Sequence, residues 1–324
     1  MSKKLLDEVT ALPERGDNYK KMCEQLEKQV EQLHQKIESM RQGKFRLPTC
    51  KPSRMSRSGT AMRLYIPDSH GAIVDKVAWK AMMGDLQIIG PAVSRVIWLG
   101  DHMDCGSWLD EKHTIGYVSQ TDYTVADDED AANLQLDQVQ AATPNAEHEY
   151  LEGNHEWRIE REIVGRCKGN RREVERQLSR NGPSAVMSLD KRGIRYWKRS
   201  EKHMGLSVPG VIKLDDFSYA THGKTTAQNA SKIMAKKYNA NVKYGHTHRA
   251  DMAVVQSVEG GYHSAWNFGC LCLDNPVWHN GDCTDWSTGY GLEVTNKKNQ
   301  FLTIHVPIVN GVSLLQLVAA KLAA

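Results

Sequence analysis

The chain has 324 residues, 40% of them apolar, and a formal net charge of +3, which is enough length and apolar content for one large packed core or two modest ones. A charge so near neutrality gives no general case for nucleic acid, so any such case rests on local patches. Seven scattered cysteines without paired spacings exclude a disulfide scaffold or a zinc knuckle and read as reduced thiols.

At the N-terminus Lys3 and Lys4 precede Asp7, Glu8, Glu14 and Asp17, with no apolar stretch of signal-peptide length. A cytoplasmic, non-membrane protein is the expectation, since the apolar stretch 312–320 is interrupted by Gln316 and is far below the roughly 20 residues a spanning helix needs. From Tyr19, the residues Cys23, Leu26, Val30, Leu33, Ile37 and Met40 alternate spacings of four and three, the seam of a heptad coiled coil. A parallel homodimer through residues 19–40 and an amphipathic helix lying on its own domain both satisfy that seam; Lys36 facing Arg41 of a parallel partner counts against the first. Residues 43–60 are rich in Pro, Ser and basic side chains and read as a linker. The expected division is an N-terminal helix at 1–42, the linker at 43–60, a main domain at 61–310 with a basic insertion at about 157–203, and a C-terminal helix or tail at 311–324.

In the main domain, short apolar runs at 64–67, 95–99 and 149–152 alternate with helical stretches at 73–88 and 127–142. That is βαβ grammar, in which loops at strand ends carry the chemistry. The acidic run 127–130 reads as the first turn of its helix. Strand candidates then follow at 208–213, 217–221, 242–244, 252–257, 262–268, 290–295 and 301–307, with one helix near 227–237.

Five of these strand ends carry metal-ligand residue types. Asp68 and His70 are two apart and project to one side of an extended segment, so both reach one cation. Asp101, in Gly100-Asp101-His102-Met103-Asp104, has two carboxylate oxygens with which to bridge two cations. Gly153-Asn154-His155-Glu156 offers an amide oxygen and an imidazole. His222, His246 and His248 follow two later strands. Together they supply oxygen and nitrogen donors for two ions and use no cysteine. His34, His102, His113, His148, His203, His263, His279 and His305 match no motif and are expected to be structural or on the surface; Cys270 and Cys272 are expected to be strand residues.

In the order D-x-H, GDxxD, GNH[ED], H and GHxH, these motifs resemble those of the calcineurin-like metallophosphoesterases over about residues 62–307. The resemblance implies an α/β fold of two packed mixed β-sheets flanked by helices, here preceded by the N-terminal coiled-coil helix. It implies that Asp68, His70, Asp101 and His248 hold one divalent ion and Asp101, Asn154, His222 and His246 a second. His155, oriented by Asp104, would protonate the leaving group. Two such ions roughly 3.5–4 Å apart acidify water and clamp phosphate oxygens for in-line attack. Manganese is the expected metal, with iron, zinc or nickel as alternatives.

The protein Ser/Thr phosphatases of that family have Arg directly after GDxxD, where this chain has Cys105, which argues against that branch. Arg158 or Lys224 is the candidate to grip the phosphate instead. Residues 158–202 hold 14 Lys or Arg against six Asp or Glu, with Tyr196 and Trp197 interleaved and Trp157 just before. Basic groups track a phosphate backbone and rings stack on bases, so a nucleic-acid or nucleotide phosphodiester is the leading substrate. The competing account of that stretch is a solvated helix with pairs such as Arg171–Glu175 and core tryptophans. A phosphomonoesterase is the rival enzyme, and a non-catalytic binding module on the same fold is the third reading.

Overall fold

In the computed structural model the described residues are Lys28, 60–105, 122–199, 210–256, 261–276, 283–296, Lys298 and 300–323. The chain divides into two units, Met1–Thr49 and Cys50–Ala324, and the architecture is that of the second. The heptad seam and the linker lie outside the described residues, except Lys28, which is helical and exposed, and Thr60 at the linker's end.

Strands β1 (Thr60–Ile66), β2 (Val93–Trp98), β3 (Glu147–Leu151) and β4 (Arg195–Trp197) run parallel. Beyond β1 the sheet continues antiparallel through β10 (Gly289–Asn296), β11 (Phe301–Val309) and β12 (Val312–Ser313), giving the order β12-β11-β10-β1-β2-β3-β4. The second sheet has the order β5-β6-β7-β9-β8, from β5 (Val211–Asp215), β6 (Ser218–Thr221), β7 (Asn241–Tyr244), β8 (Ala250–Gln256) and β9 (Tyr262–Phe268), with β6, β7 and β9 parallel. Both sheets are therefore mixed. They pack face to face through Tyr65, Ile97, Leu99, Leu151 and Trp197 on one side and Ile212, Leu214, Ala220 and Phe268 on the other.

The outer face of the first sheet is covered by α1 (Lys76–Ile89) and α2 (Val125–Ala142). Helix α1 begins at Lys76, not at residue 73, because His70 is left-handed, Gly71–Ile73 form a 3-10 turn, and the Asp75 carboxylate caps the amides of Val77 and Ala78 at 2.8 and 3.0 Å. Such a cap is worth about 1 kcal/mol. Its buried positions Ala78, Ala81, Met82, Asp85 and Leu86 fall at helical spacing and face the sheet. The acidic run does open α2: Thr124 and Asp127 form a reciprocal capping box. Helix α6 (Ala230–Tyr238), which ends at left-handed Asn239, covers the outer face of the second sheet through Met234 and Ala235 packed on Val242, Tyr244 and Ala265. The result is helix, sheet, sheet, helix.

The basic insertion folds as α3 (Asn154–Arg166), α4 (Arg171–Asn181), the single turn α5 (Pro183–Val186) and β4. Its charges pair locally: Arg166 with Glu162 and Arg171 with Glu175 at i,i+4, Arg176 with Glu173 at i,i+3, and Lys198 with Glu160. Trp197 is core, and the Tyr196 hydroxyl donates to Glu152 at 3.0 Å. Neither ring is presented for base stacking, which corrects that part of the nucleic-acid expectation; Trp157, 42% exposed, is the ring left on the surface. The C-terminal segment is a helix, α7 (Leu314–Ala323), and among the described residues no helix is long and apolar enough to cross a membrane.

Candidate functional site

Each of the five motifs lies just past the C-terminal end of a strand: Asp68 and His70 after β1, Asp101 and Asp104 after β2, Asn154 and His155 after β3, His222 after β6, and His246 and His248 after β7. Parallel strands bring those ends to one edge of each sheet, and the two edges meet. Tight turns are needed there. His70, Asp101, His246 and His248 all have left-handed backbones, with φ of 50°, 54°, 75° and 58°, a conformation that costs of order 1–3 kcal/mol each in a non-glycine residue and gathers at functional sites. Gly100, at φ 97°, has no room for a side chain: a Cβ would sit 2.7 Å from the Gly153 amide nitrogen and 2.8 Å from His222 Nδ1.

Two buried carboxylates hold these loops, and neither was singled out by sequence reasoning. Glu156, in the first turn of α3, accepts from the amides of Asp101, His102, Met103 and Gly153 and from the Tyr150 hydroxyl at 2.6–3.2 Å. Asp128 of α2 accepts from the amides of Ala72 and Cys105 at 2.9 and 2.8 Å, tying the first loop to the second. The signal for Glu156 was available, because an acid at the third position of a helix after Gly153 is a capping residue.

The donor atoms converge in two groups that share Asp101. In the first, His70 Nε2 lies 3.1 Å from His248 Nε2, which is 3.1 Å from Asp68 Oδ2. In the second, His222 Nε2 lies 3.2 Å from Asp101 Oδ2 and 3.0 Å from Asn154 Oδ1, and the His246 ring is 5.0 Å from the His222 ring. Potential ligand atoms of His70, Asp101 and His155, and again of Asp101, His222 and His246, lie within 4.8 Å of one another.

The protons in these groups are constrained. His70 Nδ1 donates to Asp104 Oδ1 at 2.8 Å, and His222 Nδ1 donates to the Leu99 carbonyl at 2.8 Å. A neutral ring so held turns a bare Nε2 lone pair toward other acceptors. Either a second proton or a cation reconciles them. Without a cation, burial would lower both rings, but Asp104, Asp101 and Asp68 raise His70 to about 9, and Asp101, Asp68 and the Leu99 carbonyl raise His222 to about 9. Asp68 is fully buried; its Oδ2 accepts from the His246 amide at 2.7 Å, while Oδ1 has no partner among the described residues. A Cβ on Gly245 would lie 2.3 Å from that Oδ1. A buried orphan carboxylate oxygen beside convergent imidazole nitrogens fits a divalent cation of borderline hardness.

His155 sits at the more open side with Asn154 and His246. Its amide donates to Asp101 Oδ1 at 2.8 Å, and its Nδ1 donates to the backbone carbonyl of Asp104 at 2.7 Å. The Asp104 carboxylate accepts from His70 Nδ1 and from the Tyr123 hydroxyl and also stands 3.3 Å from His155 Nδ1. Burial lowers the His155 ring to about 4, with His70 and Arg158 adding to the push and Asp101 and Asp104 opposing it. Arg158, one turn along α3, brings Nη1 to 3.1 Å from His155 Nδ1. Lys224 is exposed two residues past His222, and among the described residues no hydrogen bond joins it to the cluster. Cys270 and Cys272 belong to no named strand and make isolated bridges to Thr288 and Val74.

No protein-family profile matches the chain, and no curated protein matches it. Among solved structures it is similar to an NAD nucleotidase from Haemophilus influenzae, with 10% identity and a TM-score of 0.37 over 78% of this chain and 50% of that one. It is also similar to a phosphatase from Mycoplasma pneumoniae, with 11% identity and a TM-score of 0.34 over 76% of this chain and 94% of that one. The chain thus spans about half the length of the nucleotidase.

Proposed function

We propose that the chain is a phosphoester hydrolase of the calcineurin-like metallophosphoesterase type, working with two divalent ions. The observation that carries this reading is Asp101, whose carboxylate belongs to both convergent donor groups. Asp68, His70, Asp101 and His248 would hold one ion, and Asp101, Asn154, His222 and His246 the other. When bound, the ions supply an acidified water and charge neutralisation for the phosphate.

The chain's own groups do the remaining work. Leu99 and Asp104 fix the tautomers of His222 and His70, leaving lone pairs for the ions. The His155 ring, anchored through Nδ1, leaves Nε2, 4.0 Å from Asp101 Oδ2, to take up a proton near an anionic ester and deliver it to the leaving oxygen. Arg158 beside it is the candidate phosphate contact.

A nucleic-acid or nucleotide phosphodiester remains the proposed substrate, supported by Arg158 and by Arg161, whose guanidinium lies 5.4 Å over the exposed Trp157 ring. The burial of Trp197 favours the second reading, a phosphomonoesterase with a tighter site. The test is turnover of a diester and a monoester chromogenic substrate after chelation and after restoring Mn²⁺, Fe²⁺, Zn²⁺ or Ni²⁺. Activity lost on chelation, restored by metal and greater on the diester is expected. Inactivity on both esters with both positions loaded overturns the proposal.

A further inference from the structure

Residues 270–272 follow β9 and run alongside the first ligand loop. The Leu271 amide donates to the Asp68 carbonyl at 2.8 Å, the Leu271 carbonyl accepts from the Asp75 amide at 2.9 Å, and the Leu273 amide donates to the Ile73 carbonyl at 3.0 Å. This pairing puts Leu271 into the main core and turns Cys270 and Cys272, two apart, to the other side. There both are fully buried with Ile73, against Tyr123 and Trp286. Cys270 Sγ is directed at the Cys272 carbonyl, 4.0 Å away, whereas Cys272 Sγ faces His248 Nδ1 at 3.9 Å. One ring nitrogen from each of His70 and His248, with Cys272 Sγ, lie mutually within 4.8 Å.

We infer that Cys272 is a thiolate ligand of the first metal position, making that position selective for a thiophilic ion such as zinc over manganese; this rests on the dinuclear reading above. Ligand atoms sharing one zinc, with Zn–N of about 2.0–2.1 Å and Zn–S of about 2.3 Å, stand roughly 3.3–3.6 Å apart near tetrahedral angles. Cys272 Sγ lies within 4.8 Å of one ring nitrogen of each of His70 and His248, close enough that a small turn of the His248 ring, whose Nε2 faces His70 and whose Nδ1 faces the sulfur, brings one nitrogen and the sulfur to a common ion. The unpartnered Asp68 Oδ1 is a second, independent sign of a missing cation in the same loop pair. Trp286, edge-on to the His248 ring at 4.2 Å, helps screen the sulfur from water. On binding, the Cys272 S–H bond breaks, its proton leaves to solvent, and the sulfur donates its electron pair to the ion. Soft sulfur beside imidazole shifts preference from manganese toward zinc or cobalt.

The test is the absorption spectrum of the full chain titrated with Co²⁺. Visible d–d bands report that cobalt is bound, and a near-ultraviolet sulfur-to-cobalt charge-transfer band reports the thiolate. The expected result is both in the wild type and in Cys270→Ser, with the charge-transfer band lost in Cys272→Ser and zinc preference over manganese falling at least about tenfold. Because Cys272→Ser could fail to fold, X-ray absorption of the zinc-loaded wild type gives an independent measure, one sulfur scatterer at about 2.3 Å. Cobalt or zinc bound without sulfur overturns the thiolate assignment and leaves the dinuclear reading standing. A charge-transfer band that persists in folded Cys272→Ser also overturns it. No metal bound at all overturns both.

Discussion

The Asp104 side chain and the Asp104 backbone serve different histidines: the carboxylate accepts from His70 Nδ1 at 2.8 Å, while the carbonyl accepts from His155 Nδ1 at 2.7 Å. Asp104→Asn therefore keeps the His155 anchor and removes the charge that fixes the His70 tautomer. Metal affinity should fall about 10- to 100-fold, as for loss of an outer-shell partner. Turnover at saturating metal should change far less than the roughly 10²-fold or greater loss expected for His155→Ala. Metal titration and kcat at saturation, measured on both variants, check this. Equal kcat losses at full metal loading would return the carboxylate to the role of orienting His155.

His70 and His222 lead to a second prediction. Each is raised to about 9 by neighbouring carboxylates against the effect of burial, so at neutral pH the metal-free site keeps protons where cations would sit. Metal binding should release about two protons at pH 7 from the His70 and His222 rings, with a third from the Cys272 thiol if it enters as a thiolate, and apparent affinity should rise with pH up to about 9 as the two rings lose their protons. Calorimetric titrations in buffers of different ionisation enthalpy count those protons directly. A count near zero would mean that the rings are already neutral and the convergence of lone pairs has another explanation.

Much of this site was legible because its chemistry is local. Asp68, Asp101, Asn154, His222 and His246 each follow an apolar run that ends at a turn, so strand ends could be read without knowing which strands pair. What the sequence hid depends on contacts between distant segments. Asp104 is close to His155 only through the loop after β2, and whether its side chain or its backbone makes the contact is set by the left-handed turn at Asp101. Cys272 is 24 residues from His248, and the two meet because the chain after β9 pairs with the loop after β1. Trp197 looked like a stacking ring because basic residues flank it, yet Arg195 lies 3.6 Å over its ring and the indole fills the space between the sheets.

The interior between the sheets also carries a charge network that periodicity does not reveal. Glu293, fully enclosed on β10, accepts from Lys243 at 2.5 Å, Arg63 at 2.7 Å, Tyr65 at 3.0 Å and Thr303 at 2.8 Å. Lys243 is itself completely buried on β7. Glu293→Ala leaves Lys243 as a buried cation without its carboxylate, beside Arg63, which keeps Asp215 at 3.0 Å, and should destabilise the chain by about 3–5 kcal/mol. Glu293→Leu with Lys243→Met removes both partners of the tightest pair and should recover part of that loss. Urea unfolding of the single and double variants decides it: a single-variant loss below about 1 kcal/mol would mean that water reaches the network.

Acid should weaken the fold through histidines that it buries in the neutral form. His148, on β3, accepts from the Trp98 indole at 3.3 Å through Nδ1. The Thr143 hydroxyl is committed to the Val139 carbonyl at 2.7 Å, so His148 Nε2, 3.1 Å away, is the donor in that contact. Protonating Nδ1 would set two N–H groups against each other, and burial lowers the ring from 6.5 to about 4. The unfolded chain then binds a proton that the folded chain refuses between those values. Stability is complete above about 6.5 and falls as the pH drops toward 4, by roughly 3 kcal/mol for this one group. His305, also lowered to about 4 by burial, adds to the same slope. In chelator, so that metal loss does not contribute, wild-type stability from urea unfolding should decline across this window. The His148→Gln curve should be flatter by up to about 1.4 kcal/mol per pH unit; parallel curves would show that His148 accepts its proton without disturbing Trp98.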